Sequence, residues 1–318
     1  MPDSLRVRSL AKINLDLRVL HKRPDGFHEL RTIFQTISLA DTIDIEYARG
    51  RTRIEVESNV NIPDNLIVKA AESMLHASGA KGRLRFRLTK RIPLGSGLGG
   101  GSSNAASVLL ALPILIGKPL PREKLMELAA ELGSDVPFFL LGGTAAGLGR
   151  GTELYPLPDW PSHAMLLITP GIHSSTVEAY RALKRKKARQ IASDALNDFA
   201  AVTWQLGEFA ASDDFHGRND FEAVVFSRHP QLKSIKGKLL ELGARPALMS
   251  GSGSGLFGIF PSPELRDRAA QWFRREFDND KVHRVNTVSR RRFRALWRRQ
   301  LEISSDSKTW PPQDRYAK

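Results

Sequence analysis

Apolar and polar residues alternate from 83 to 89, RLRFRLT, so every second side chain falls on one face and the spacing predicts a half-buried strand. Residues 42–48 (TIDIEYA) and 53–57 (RIEVE) keep the same period, and the longer stretch 5–20, LRVRSLAKINLDLRVL, reads as one strand or a bent pair. Between them the period becomes helical. Residues 65–78, NLIVKAAESMLHAS, follow Pro63-Asp64, a good helix start, and residues 102–116 and 121–132 are the next helices. In the last of these Leu125, Leu128, Ala129 and Leu132 form one stripe, which marks a core-facing side.

Beyond residue 150 strands and helices take turns. LLITP at 166–170 reads as a buried strand after a connection at DWP (159–161). Phe221 to Gly243 reads as mostly helical, ALMSGSGSGLFGIF at 247–260 as strand, glycine loop and strand, and Glu264 to Phe277 as a helix. A soft boundary falls near 150–165, giving an N-terminal domain over 1–158, a C-terminal domain over 159–303 and a tail over 304–318 expected to be disordered and dispensable. No internal repeat is visible.

A chain of 318 residues with 41% apolar and 26% charged residues is globular in composition. Its longest apolar run, Val108 to Ile116, is interrupted by Pro113 and falls well short of the roughly 20 residues that span a bilayer. The first ten residues lack the apolar core of a signal peptide, so a cytoplasmic protein with no membrane partner is expected. Zero cysteines exclude disulfides, thiolate metal sites and cysteine nucleophiles. The net charge of +14 raises the question of nucleic acid, yet the excess is local. Lys281 to Lys318 holds 11 basic and 3 acidic residues, a net of +8, and Lys184 to Lys187 is a second basic run. Without zinc-finger spacing or an aromatic RNA-binding signature, a solvated face or general anion attraction is preferred over a nucleic-acid patch. A monomer or homodimer is expected.

The chemistry concentrates at residues 93–106, PLGSGLGGGSSNAA, where glycines abut a helix-favouring run. Backbone without Cβ can lie close to a ligand, and the helix N-terminus aims its free N–H groups at the loop, an arrangement that binds phosphate. A Walker loop fails for want of the lysine, and a protein-kinase loop fails for want of the downstream VAIK, HRD and DFG motifs. Gly95, Gly97 and Gly100 satisfy G-x-G-x-x-G, but the loop lies too far along the chain for a first βαβ unit. A flexible linker is the bland alternative.

The phrase P-x-G-x-G-L-G-G-G-S-S-N-A-A resembles the second motif of the GHMP kinases. AKINLDL (11–17), RPDGFHEL (23–30), DNLIVKAA (64–71), GSDVPFFL (133–140), TPGIHSSTVEAY (169–180), NDFE (219–222) and MSGSGSGLFGIF (249–260) follow the same family's order. The resemblance implies a two-domain α+β fold, with an N-terminal ATP domain like ribosomal protein S5 domain 2 and a C-terminal ferredoxin-like α/β plait. Within the family the chain looks most like the branch that phosphorylates a cytidine-diphosphate-linked polyol at a hydroxyl; RPDGFHEL argues against a homoserine or mevalonate kinase.

Carried over by resemblance, the loop wraps the ATP triphosphate with Pro93, Gly95, Gly97, Leu98 and Gly99. Gly100, Gly101, Ser102, Ser103 and Asn104 continue it into the helix, and Asn65 and Lys90 lie near the nucleotide. Magnesium arrives on the nucleotide, and no protein ligand for it is assigned, since Gly100 and Gly101 stand where some relatives have serine. Asp135 resembles the base and Lys12 its partner. Read from residues alone, Ser134 or Asp135 could instead cap a turn before Pro137, and a lysine on a strand could be solvated. Phe27, His28, Asn14 and Tyr180 are implied in a cytidine pocket, with Phe27 replacing the usual tyrosine; a lone histidine could also be a base or a satisfied polar group. Thr176, Ser252 and Gly253 are implied at the substrate, although SGSGSG could be a plain hairpin. The Arg-rich SRRRFRALW segment is expected to close the second domain.

Overall fold

The alternating N-terminal stretch forms a single long strand, β1 (Asp3–Lys22), which runs antiparallel to β2 (His28–Arg49). Strands of 20 and 22 residues far exceed the usual five or six, and register shifts at Leu10/Lys12, Asn14/Asp16 and Val19/Lys22 let the pair bend. β2 then serves two further partners. Its Thr42–Arg49 half pairs with β4 (Gly82–Thr89), and Leu30–Gln35 pairs with β5 (Thr144–Gly149). β3 (Arg53–Ser58) joins β4 in parallel, and β6 (Glu153–Pro156) joins β5 antiparallel. The computed structural model describes residues 3–183, 197, 199–201, 203, 217–278, 281–302 and 310–311. The Lys184 to Lys187 run lies outside these residues.

Helices α1 (Leu66–Ser78), α2 (Gly100–Ile116), α3 (Arg122–Leu132) and α4 (Val136–Leu141) build the first core together with this sheet. α2 is buried on nearly every side from Ser103 to Ile116, which is why its apolar residues show no single stripe.

The second half reads β7 (Ala164–Ile168), α5 (Thr176–Ala182), α6 (Phe221–Arg228), α7 (Pro230–Glu241), β8 (Ala247–Met249), β9 (Leu256–Phe260), α8 (Pro263–Glu276) and β10 (Val282–Asn286). Its four strands are all antiparallel in the order β10-β7-β9-β8. Numbered within the half, that is 4-1-3-2 with helical crossovers, the ferredoxin-like plait. The helical stretch 221–243 is two helices, because His229 leaves the helical region (φ −131°, ψ 73°) and Pro230 has no N–H to donate. Ile13, Leu15 and Ile33 of the first sheet share a core with Met165, Leu167 and Phe257 of the second, so the two halves meet through packed side chains.

The Arg-rich segment corrects an expectation. Helix α9 (Arg290–Gln300) does not close the second half: Phe293, Trp297 and Leu301 are buried in the first core, and Gln300 Oε1 accepts from the Arg8 N–H at 2.8 Å. A 3.6-residue spacing brings Phe293 and Trp297 to one face while Arg291, Arg292 and Arg299 are exposed and Arg290, Arg294 and Arg298 are half-buried along its flank, which explains a helix so rich in charge. Of the tail expected to be dispensable, Trp310 and Pro311 are the described residues, and both are buried. The Trp310 ring lies beside Phe293, and its indole N–H donates to Leu140 O at 2.7 Å. Trp310→Ala should cost about 3–5 kcal/mol, the usual loss for a large aromatic removed from a core. Urea denaturation of the full chain checks this, and an unchanged midpoint would remove Trp310 from the core.

Candidate active site

Lys12 enters a cleft between the two halves immediately after the first register shift of β1. Its backbone N–H donates to Leu98 O at 3.0 Å, which ties the strand to the glycine loop. The side chain is 3% exposed and its ammonium donates to Asn14 Oδ1 at 2.8 Å, with Asp135 Oδ2 at 3.3 Å. Asn14 cannot flip freely, because its Nδ2 donates to Thr32 Oγ1 at 2.7 Å and Thr32 in turn donates to Asp16 O at 2.7 Å. The ammonium is therefore aimed by a buried chain of hydrogen bonds, with the Phe34 ring 5.5 Å from it.

Asp135 stands at the N-cap of α4 but makes no side-chain capping bond. Its carboxylate, 34% exposed, faces Lys12 and the cleft instead. Of the two uses open to it by sequence, geometry favours the one directed into the cleft.

The glycine loop supplies the adjoining wall. Gly99 is left-handed (φ 68°) at the N-cap of α2 and offers no side chain to occupy the first-turn N–H groups, which stay available to an anion. Gly97, Gly99 and Ser102 line the cleft. The loop is clasped by the second-half segment 250–255: Ser250 Oγ donates to Gly97 O at 3.0 Å, and the Gly255 N–H donates to Ser96 O at 3.0 Å. Asn219, from the NDFE segment, holds that clasp by donating to Met249 O (2.7 Å) and Gly251 O (2.8 Å). Ser252 and Thr176 share a hydroxyl hydrogen bond of 2.7 Å beside it.

An aromatic wall faces the cleft from the other end. His28 and Tyr180 stack with centroids 4.7 Å apart and planes 22° apart, and Tyr180 meets Phe221 edge-on. Burial, and then the Asp135 charge, push the Tyr180 phenol up, so it remains a neutral ring and O–H donor at working pH. Phe27 is 48% exposed and carries the Arg150 guanidinium 3.5 Å from its ring centroid. The cleft has a volume of about 750 Å³.

Several sequence-nominated side chains are not brought into this cleft. Asn65 caps α1, accepting from the Ile67 N–H at 3.0 Å. Lys90 is buried beneath Gly100 with its ammonium on Asp41 (2.6 Å) and Ile92 O (2.8 Å); burial lowers its pKa and Asp41 opposes that. Ser103 donates to Leu10 O, and Leu98 and Asn104 are buried. Gly253 lies against Met249, while Pro93, Gly95 and Gly101 belong to the loop without lining the cleft. Sequence reasoning missed Thr32, Arg150 and Arg181. Thr32 gives no signal, but Arg150 sits between two glycines in GLGRGTEL, a turn signature. Among the described residues no three His, Asp or Glu side chains gather as a metal site, and no helix is long and apolar enough to cross a membrane.

Residues 65–143 match the GHMP kinases N terminal domain and residues 195–279 the GHMP kinases C terminal domain. The chain is 53% identical over 316 residues to 4-diphosphocytidyl-2-C-methyl-D-erythritol kinase of Solibacter usitatus, covering 98% of this chain and 97% of the relative. It is 40% identical over 276 residues to the enzyme of the same name from Pelotomaculum thermopropionicum, covering 83% and 92%. A crystal structure of 4-(cytidine 5'-diphospho)-2C-methyl-D-erythritol kinase superposes with TM-score 0.74 at 35% identity, over 89% of this chain and 99% of the other. Homoserine kinase from Cytophaga hutchinsonii superposes with TM-score 0.67 at 20% identity over 91% and 96%, a likeness of fold alone.

Proposed function

This chain belongs to the 4-diphosphocytidyl-2-C-methyl-D-erythritol kinases, a branch of the GHMP kinases, and we infer from that membership and from the cleft that it uses ATP to phosphorylate the C2 hydroxyl of 4-diphosphocytidyl-2-C-methyl-D-erythritol. The products are the 2-phosphate and ADP, a step of the non-mevalonate route to isoprenoid precursors. The observation that carries the reading is the Lys12–Asp135 pair at 3.3 Å, set between a phosphate-type helix N-terminus and an aromatic wall.

An alcohol is a weak nucleophile, so a base must take its proton as the bond to phosphorus forms. In this proposal Asp135 is that base, and Lys12 orients the hydroxyl and offsets charge gathering on the transferring phosphoryl group. The N–H groups at the start of α2, with Gly97, Gly99 and Ser102, cradle the triphosphate. Magnesium comes as part of the MgATP co-substrate and neutralises phosphate charge. The carboxylate lining the cleft, Asp135, is already paired with Lys12, so the metal is assigned to the nucleotide's own oxygens. His28 and Tyr180 take the cytosine ring by stacking and edge hydrogen bonds. Asn14 acts by aiming Lys12, Lys90 acts by supporting the loop from beneath Gly100, and Asn65 caps α1 outside the cleft. The first half, through about residue 158, is the ATP-binding unit, and the second half brings the clasp and Tyr180. A cytoplasmic location fits a soluble nucleotide-linked substrate.

The test is an assay with ATP, magnesium and 4-diphosphocytidyl-2-C-methyl-D-erythritol, run beside homoserine and mevalonate, reading ADP release and product mass. ADP release with the cytidyl substrate alone, and a product heavier by one phosphoryl group, is the expected result. Turnover of either other alcohol instead would overturn the substrate assignment and keep the kinase.

A further inference from the structure

Asp16 is a buried carboxylate that takes no part in the chemistry described above. It stands between Leu15 and Leu17 on β1, and both it and Arg18 are fully buried. Its Oδ1 accepts from Arg18 Nε at 2.8 Å and its Oδ2 from Arg18 Nη2 at 3.3 Å. An ion pair taken out of water adds little net stability, because desolvating two charges offsets their attraction, and apolar side chains of similar volume do as well. Burial accordingly pushes the Asp16 carboxyl up, against the pull of Arg18. Stability alone gives no reason for a charge at this point.

What the carboxylate does beyond that pair is hold backbone from the second half. Asp16 Oδ2 also accepts from the Arg218 N–H at 3.1 Å. Residues 218–220 lie along β1 as a short parallel partner of Leu17: the Leu17 N–H donates to Arg218 O at 2.7 Å, and the Asp220 N–H donates to Leu17 O at 3.0 Å. Asn219 is the middle residue of this segment, and its Nδ2 holds Met249 O and Gly251 O of the clasp. A slip of one residue along β1 would turn the Asn219 side chain to the opposite side and release the clasp. Gly251 sits between the glycine loop and the lysine, since a Cβ built on it would meet Gly97 O at 3.2 Å and Lys12 Nζ at 3.6 Å. From its other side Asp16 offers its carbonyl to Thr32, the bond that begins the chain aiming Lys12. One residue thus anchors both the clasp and the lysine.

We propose that Asp16, paired with Arg18, is a positioning residue for phosphoryl transfer: its carboxylate sets the register of residues 218–220 on β1, and so the place of the clasp that holds the glycine loop beside Lys12. This rests on the reading of that loop as the ATP cradle and deepens it.

The test uses two double variants that both lack the ion pair and everything else Arg18 does. Asp16→Asn with Arg18→Met keeps an oxygen for the Arg218 N–H; Asp16→Leu with Arg18→Met has nearly the same shape and no acceptor. Calorimetry with a non-hydrolysable ATP analogue and kcat with the cytidyl substrate are read at a temperature where melting curves show each variant folded. The Asn variant should stay within about threefold of wild type in both, a rescue by the retained acceptor. The Leu variant should bind the analogue about tenfold to a hundredfold more weakly and lose kcat on the same scale, as for a site displaced by up to roughly 1 Å. A purely structural Asp16 would lower both melting temperatures and leave the folded variants alike, so equal affinity and equal kcat in the two would end the proposal. If the Leu variant does not fold, amide exchange of the wild-type protein carries the test. The analogue should then slow exchange across 217–222 as well as across 95–102, and slowing confined to the loop would sever the segment from it and end the proposal. Wild-type protein that binds the analogue without turning over the cytidyl substrate would overturn the substrate reading and leave the binding comparison to decide this one. Wild-type protein that does not bind the analogue would overturn the ATP cradle and this proposal with it.

Discussion

Asp135→Asn is expected to lower kcat by about two to four orders of magnitude, the usual contribution of a general base, while ATP binding stays close to wild type. The substitution is nearly isosteric, and Asp135 caps nothing with its side chain, so α4 and the cleft should keep their shape. What disappears is the oxygen able to accept the hydroxyl proton. Lys12 remains aimed, because Asn14 and the Thr32 bond behind it do not depend on Asp135. Single-turnover ADP release and titration with ATP separate the two quantities. Wild-type kcat in this variant would remove Asp135 from proton transfer and leave the cleft working by positioning and charge alone.

Gly97→Ala should reduce kcat/KM for ATP by about a hundredfold, the scale expected when a reacting group is misplaced by roughly 1 Å. Gly97 has φ +75°, and a Cβ there would lie 2.0 Å from Ser250 O, which is backbone and cannot swing aside. The loop and its clasp must separate, taking with them the Ser250 bond to Gly97 O. Gly117→Ala is the matched control: the same left-handed backbone (φ +68°) at the far end of α2, with no atom within 4 Å of the added methyl. It should show only the cost of the backbone, about 1 kcal/mol in a denaturation curve, and ordinary kinetics. Equal kinetics in both variants would mean that the clasp does not position the phosphates.

Where one face was wet, the sequence was easy to read. RLRFRLT alternates because β4 buries Leu84, Phe86 and Leu88 and exposes the arginines between them, and α1 lies within a residue of its expected span. Residues 28–41 showed no period because much of that half of β2 is covered on both faces, leaving nothing to alternate. β5 is short and rich in alanine and glycine, and β6 is only four residues long, so their pairing comes from the neighbouring strand rather than from their own side chains. The cleft divides in the same way. The motifs led to Lys12, Asp135, His28 and Tyr180, which meet in one cleft. They did not separate residues that face the cleft from residues that support it, since Asn65 and Ser103 sit in the family's motifs, Lys90 lies just before one, and all three point elsewhere. Which way a side chain turns depends on the register of β1 against the loop, and that is a tertiary property.

The return of α9 and Trp310 to the first core sets an order of events during synthesis. The pocket for Phe293, Trp297 and Trp310 is built by residues that leave the ribosome early, yet it is filled by some of the last to emerge. At roughly 5–20 residues per second, the first half waits on the order of eight to thirty seconds with part of its apolar interior uncovered. Its completion is therefore post-translational, and a nascent chain stalled before residue 290 should be a chaperone client rather than a folded ATP-binding unit.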